Sequence, residues 1–263
     1  MMGKNNNNLS KWNKNLHLEK YDSIAKMALG TIEKYGDRIC QRWWIDDECR
    51  EYKSITYNEL KDNMKSILGG LCSLGYSKGD HIAICAETRA EWVWSDLGIQ
   101  CLGGATTAIY PSLKPKEILY ILNDSETTAI FLDEHEVLEK VLEIEDETPQ
   151  LKHIFIFENL GGKYKDHDKI INLDELMEKG KKYHEKNPDA FMESVNAVTE
   201  DTLASLIYTS GTTGIPKGVM LSNKNFLSMA YMAVSVVATI IPDDPKIWEM
   251  NFLCILPLSH SFG

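Results

Sequence analysis

The chain has 263 residues, 43% of them hydrophobic and 25% charged, with 17 glycines and 8 prolines, which excludes a fibrous or wholly disordered chain. Its 28 basic residues are outweighed by 39 acidic ones, and a formal charge of −11 excludes a surface built to neutralise a nucleic-acid backbone. No nucleic acid is therefore expected among its partners, and any bound phosphate must be gripped locally.

The first 18 residues are polar and rich in asparagine and lysine, lack the apolar core and cleavage site of a secretory signal, and read as a disordered tail. From Tyr21 to Tyr35, Ile24, Met27, Ala28 and Ile32 recur on one helical face, with Gly36 as the stop. Ile39 to Trp44 reads as a strand and Asp46 to Glu51 as a polar turn. Thr56 followed three residues later by Glu59 is the spacing of a capping box, ahead of an apolar helix that runs to Leu74 and stops at Gly75.

Beyond that point strands and helices alternate. Strands are expected at His81–Cys85, Ala105–Ile109, Thr128–Leu132 and His153–Phe157, with helices at Ala90–Leu102, Pro115–Asn123 and His135–Ile144. Short apolar strands interleaved with helices predict an α/β fold, its parallel sheet covered by helices on both faces. Asn159 to Glu200 is richer in charge, with a surface helix predicted near Leu173–Glu185. An apolar strand follows at Leu203–Tyr208, and a last one at Phe252–Leu256.

The most apolar stretch, Phe226 to Ile241, carries Ser228, Ser235 and Thr239 and falls short of the roughly 20 residues that cross a bilayer, so it reads as a buried helix. The six cysteines, at 40, 49, 72, 85, 101 and 254, form neither a C-x-x-C pair nor a zinc spacing. They read as reduced, buried thiols of a cytoplasmic protein, and no metal-ligating residue is singled out.

Three organisational units follow: the tail to residue 18, a first α/β subdomain over 19–200, and the start of a second over 201–263. A chain stopping after Phe252–Leu256 would leave that second unit's sheet half built, so the sequence is expected to be a fragment.

Chemistry concentrates between the strand Leu203–Tyr208 and the apolar run Val219–Leu221. The loop there holds Gly211, Gly214 and Gly218, the hydroxyls of Thr209, Ser210, Thr212 and Thr213, and Lys217. Glycines free backbone N–H groups to turn toward a phosphate, hydroxyls donate to its oxygens, and lysine supplies a mobile cation. A plain turn has no need of that set. A P-loop needs Gly-Lys followed by Ser or Thr, whereas the order here is Pro216-Lys217-Gly218.

The segment Tyr208-Thr-Ser-Gly-Thr-Thr-Gly-Ile-Pro-Lys-Gly-Val-Met-Leu-Ser222 resembles the phosphate-binding signature of the adenylate-forming (AMP-binding) superfamily. Ile55–Leu60 and Leu256-Pro-Leu-Ser-His-Ser-Phe-Gly263 resemble the same family in the right order, so the likeness covers nearly all the chain beyond the tail. Glu91–Ala105 and Ile109–Ser125 are similar to long-chain fatty acyl-CoA synthetases, while Ser259–Gly263 resembles acyl-CoA synthetases in general.

That resemblance implies an incomplete N-terminal domain of the adenylate-forming fold. It also implies a ligase that joins a fatty acid to ATP as an acyl-adenylate and then passes the acyl group to coenzyme A, with Mg²⁺ as the metal. Thr209, Ser210, Thr212, Thr213 and Lys217 would grip the β and γ phosphates, with Gly211, Gly214 and Gly218 giving the loop its mobility. Lys217 and His260 are the residues it points to for catalysis, His260 lying in a motif that lines the acyl and adenylate pocket. A histidine after a strand reads equally as a satisfied structural group. Another carboxylate, or a non-catalytic nucleotide-binding fragment, stays open as an alternative, and a fatty substrate is compatible with peripheral contact at membranes.

Gly75-Tyr-Ser-Lys-Gly79 matches the G-x-S-x-G spacing of serine hydrolases, but a nucleophile elbow runs from strand to helix. Here the order is helix, turn, strand, so Ser77 reads as part of a surface turn.

Overall fold

The structure, a computed structural model, describes residues 19–45, 48, 50–164, 166–209, 215–240, 254 and 258. The predicted tail lies outside them, as does the predicted strand 252–256 apart from Cys254.

Helix α1 (Ile24–Tyr35) begins where Ser23 caps it, the Ser23 hydroxyl accepting from the Lys26 amide at 3.2 Å. Strands β1 (Ile39–Trp44) and β2 (Tyr52–Thr56) then pair antiparallel as a separate two-stranded sheet. Helix α2 (Tyr57–Ser73) opens on the expected capping box: Thr56 Oγ1 accepts from the Glu59 amide at 3.2 Å, and the Glu59 carboxylate accepts from the Thr56 amide at 2.7 Å. Between α2 and the next strand, Gly75 and Gly79 take φ values of 90° and 92°, and the exposed Ser77 amide donates to Asp80 Oδ2 at 2.7 Å. Ser77 therefore sits in a surface turn.

The main sheet is built from β3 (His81–Cys85), β4 (Ala105–Ile109), β5 (Ala129–Leu132), β6 (His153–Ile156), β7 (Ile170–Asn172), β8 (Leu203–Thr209) and β9 (Lys217–Ser222). Their spatial order is β7-β6-β5-β3-β4-β8-β9. Every neighbouring pair runs parallel except β8 with β9.

Each parallel step needs a long crossover connection, usually a helix, although among the described residues no helix lies between β6 and β7. Helices α3 (Ala90–Leu102), α4 (Pro115–Asp124) and α5 (His135–Leu142) supply three of them, and α6 (Leu173–Lys186) and α7 (Ala190–Ala197) lie between β7 and β8. Helix α8 (Asn223–Ile240) leaves β9 directly.

Alternation along the strands divides the core in two. Ile82, Ile84, Phe131 and Phe155 point to one face, under α1, α2, α3, α6 and α7. Ala83, Cys85, Ile130, Leu132, Ile154 and Ile156 point to the other, under α4 and α5. Helices thus cover both faces, as the alternating pattern predicts. Phe131 and Phe155 are fully buried with ring centroids 4.7 Å apart. Burying a side chain of this size contributes roughly 1.5–3 kcal/mol.

One sequence expectation is met and one corrected. Helix α6 is the expected surface helix, with Leu173, Leu176, Gly180 and His184 buried on one face and Asp174, Glu175, Glu178, Lys181 and Lys182 exposed. Its backbone approaches α2 so closely that a Cβ on Gly180 would lie 1.7 Å from the Ser66 carbonyl oxygen. Helix α8 is not buried throughout, since Leu227 is buried while Met229, Met232 and Val234 are exposed.

Cys85 and Cys101 are buried and burial pushes their thiols up, Cys40 and Cys72 are half-buried, and Cys254 is exposed. Among the described residues no helix is long and apolar enough to cross a membrane.

Candidate functional site

The site grows from the hairpin of β8 and β9. Strand β8 is seated on β4 in register, Thr106 opposite Ser205 and Ala108 opposite Ile207. The Ser205 hydroxyl donates to the Thr106 carbonyl at 2.9 Å, and Gln100 Nε2 of α3 donates to the Ala204 carbonyl at 2.9 Å. The strand's two faces then diverge in chemistry. Tyr208 packs on the α4 side, the face that Ala204 and Leu206 share by the two-residue period, whereas Ser205, Ile207 and Thr209 fall on the opposite face.

On that second face Ser205, Ile207, Thr106 and Ala108 form one wall of a cavity of about 330 Å³, closed by side chains of α3 and α8, among them Trp92 and Phe226. Asp96 of α3 lines the same cavity and accepts from the Thr106 hydroxyl at 2.6 Å. Burial pushes its carboxyl up despite that bond and a second from Gln100.

Strand β9 places Lys217 opposite Thr209 and Gly218 opposite Tyr208. Cross-strand partners share a face, so Lys217 and Thr209 project side chains to the same side, both exposed, where the hairpin opens into its loop. A cation and a donor so placed suit an incoming anion.

On the other face, a Cβ on Gly218 would lie 3.0 Å from Cζ of the Tyr208 ring, so glycine there lets β9 pass the tyrosine. The Tyr208 hydroxyl donates to Asp124 Oδ2 at 2.6 Å, and the Tyr120 hydroxyl donates to the Pro216 carbonyl at 3.0 Å. The two rings meet edge to face with centroids 6.4 Å apart. Burial, then the bond to Asp124, holds the Tyr208 phenol protonated far above its ordinary range.

Of the residues singled out from sequence, Thr209, Lys217 and Gly218 come together at the mouth of the hairpin. Ser210, Gly211, Thr212, Thr213, Gly214 and His260 lie outside the described residues. Sequence reasoning assigned no role to Tyr120, Asp124 or Asp96. Tyr120 and Asp124 lie 96 and 84 positions from their partners, a separation that local pattern does not bridge. Among the described residues no group of three or more His, Cys, Asp or Glu side chains could hold a metal ion, so they offer Mg²⁺ no cage of their own.

A family model for AMP-binding enzymes matches residues 30–263. The chain belongs to the AMP-binding enzyme family. It is similar to the long-chain-fatty-acid–CoA ligase ACSBG1 of Bos taurus, 31% identical over 238 residues that cover 90% of this chain and 31% of that protein. Fatty acyl-CoA synthetase A of Dictyostelium discoideum is 33% identical over 221 residues, covering 82% of this chain and 31% of that one. The chain thus spans about a third of the length of these curated relatives.

Among solved structures, the anthranilate CoA ligase AuaEII in complex with anthranoyl-AMP matches with a TM-score of 0.66 at 21% identity, over 81% of this chain and 37% of that one. The long-chain-fatty-acid-CoA ligase FadD1 from Archaeoglobus fulgidus matches with a TM-score of 0.64 at 22% identity, over 83% of this chain and 40% of that one. At these identities the likeness is one of fold: a mostly parallel sheet between layers of helices.

Proposed function

We propose that this chain supplies the phosphate-gripping part of an ATP-dependent ligase that activates fatty acids, long-chain ones in the first instance. A carboxylate oxygen attacks the α-phosphorus of ATP, the bond to the bridging oxygen breaks, and pyrophosphate leaves. The thiol of coenzyme A then attacks the acyl carbon of the adenylate, AMP departs, and the thiol proton passes to solvent.

Neither half needs a nucleophile from the protein. The first half needs the polyphosphate held in line and its charge met as pyrophosphate forms. Lys217 supplies that charge on one strand and Thr209 a donor on the other, with Ser210, Thr212 and Thr213 completing the grip. His260, in the motif that resembles the lining of the acyl and adenylate pocket, would serve the acyl-adenylate. Membership of the AMP-binding family and the side-by-side placement of Thr209 and Lys217 carry the reading. The similarity to ligases of long-chain fatty acids supports the choice of acid. Such a ligase works in the cytoplasm and meets its acid at membrane surfaces, touching them peripherally.

The test is exchange of labelled pyrophosphate into ATP by the longest product of the gene that encodes this chain. Exchange that depends on palmitate and is weak with acetate or benzoate is expected. Exchange with no carboxylate at all overturns the adenylation reading, and a preference for a short or aromatic acid overturns the fatty one.

A further inference from the structure

The adenylation reading assigns work to the loop between Thr209 and Lys217 but none to the helix beneath it. That helix, α4, touches both ends of the loop. Asp124 Oδ2 accepts from the hydroxyl of Tyr208, one residue before the loop, and the Tyr120 hydroxyl reaches the carbonyl of Pro216, one residue before Lys217. Tyr120 and Asp124 are four apart, hence on one face of the helix. The opposite side of α4 is fixed in the core by Ile118, Ile121 and Leu122, each at most 3% exposed.

Two further features do not follow from the needs of an isolated helix. Asp124 is the last residue of α4, where the helix dipole disfavours an acidic side chain. Its carboxylate accepts from the Tyr208 phenol and also lies beside the Tyr120 phenol. Gly218 in turn leaves room for that ring, since any side chain there would press on Tyr208.

We propose that Asp124 and Tyr120 are positioning residues for the phosphate loop, clamping the strand that launches it and the residue that precedes Lys217. This inference rests on the adenylation reading for its consequence, although the clamp itself is a matter of geometry. Without the clamp, the backbone pairing of the hairpin opens more readily, and Thr209 and Lys217 lose a fixed separation from the loop they flank. The cost then falls on ATP and leaves the carboxylic acid untouched.

A hydrogen bond to a charged group is worth about a factor of ten or more in an equilibrium constant. In the same pyrophosphate exchange assay Asp124→Ala is therefore expected to raise the KM for ATP about tenfold, while the KM for the acid moves less than about twofold. Asp124→Asn keeps an acceptor for the Tyr208 hydroxyl and should recover most of that loss, and Tyr120→Phe should raise the ATP KM about threefold.

An unchanged ATP KM in Asp124→Ala, equal rises in both KM values, or an Asn variant as impaired as the Ala variant each overturn the clamp. Should the unsubstituted protein exchange with no carboxylate, the adenylation reading fails on its own, and amide hydrogen exchange decides the clamp instead. Asp124→Ala must then speed exchange in 217–222 at least about tenfold relative to His81–Cys85. Equal rates in the two segments contradict it.

Discussion

Strand β5 has all four residues buried between helices on both faces, whereas β9 leaves Lys217, Val219 and Met220 in solvent, and its hairpin with β8 leans on α4 through Tyr208 and Pro216. One is held by close packing of apolar side chains, the other by two hydroxyl hydrogen bonds and a backbone ladder on one side. The interior of the sheet carries stability and presents nothing reactive. Its last hairpin carries the cation and hydroxyl, and contributes little apolar burial. The hairpin proposed to meet solvent-borne substrate is thus placed where the fold buries least.

The contrast can be broken most severely in the interior. Gly180→Ala would set a methyl group against the Ser66 carbonyl and the Gly70 amide, both backbone, so α2 and α6 must part. A loss of about 3 kcal/mol in urea unfolding is expected. A loss below about 0.5 kcal/mol would mean that the two helices are not so tightly seated.

Thr56→Ala removes one half of the capping box of α2 and should cost about 1 kcal/mol in the same experiment. Met220 is 66% exposed, so Met220→Ser on the hairpin should move stability by less than about 0.5 kcal/mol. A large loss there would place the hairpin among the stabilising elements and erase the contrast.

The same division decides what the sequence makes legible. His81–Cys85, Ala90–Leu102 and Ala105–Ile109 fall where periodicity puts them, because short apolar strands and a helix of regular length each satisfy one local rule. The capping box at Thr56 and Glu59 is local too. Helix α6 is legible as a surface helix because ten of its fourteen residues are polar, charged or glycine, but its buried stripe of Leu173, Leu176, Gly180 and His184 includes a glycine and a histidine that apolar counting passes over. Strand β7, only Ile170–Asn172, is too short for a period to register.

In the site, the hydroxyls, glycines and lysine of the loop point by composition to the proposed phosphate grip. The register that sets Lys217 opposite Thr209, and the reach of Tyr120 and Asp124 across 96 and 84 positions, arise only when the sheet brings distant segments together.

The most direct measurement is Lys217→Ala in the longest product of the gene, read in acid-dependent pyrophosphate exchange and in urea unfolding together. Lys217 is exposed at the mouth of the hairpin, so its loss should leave the unfolding midpoint in place. Removing a charge contact of the transition state should lower exchange roughly 10²–10³-fold. Exchange that survives unchanged, or falls only in step with stability, would contradict the assignment of the hairpin as the ATP grip.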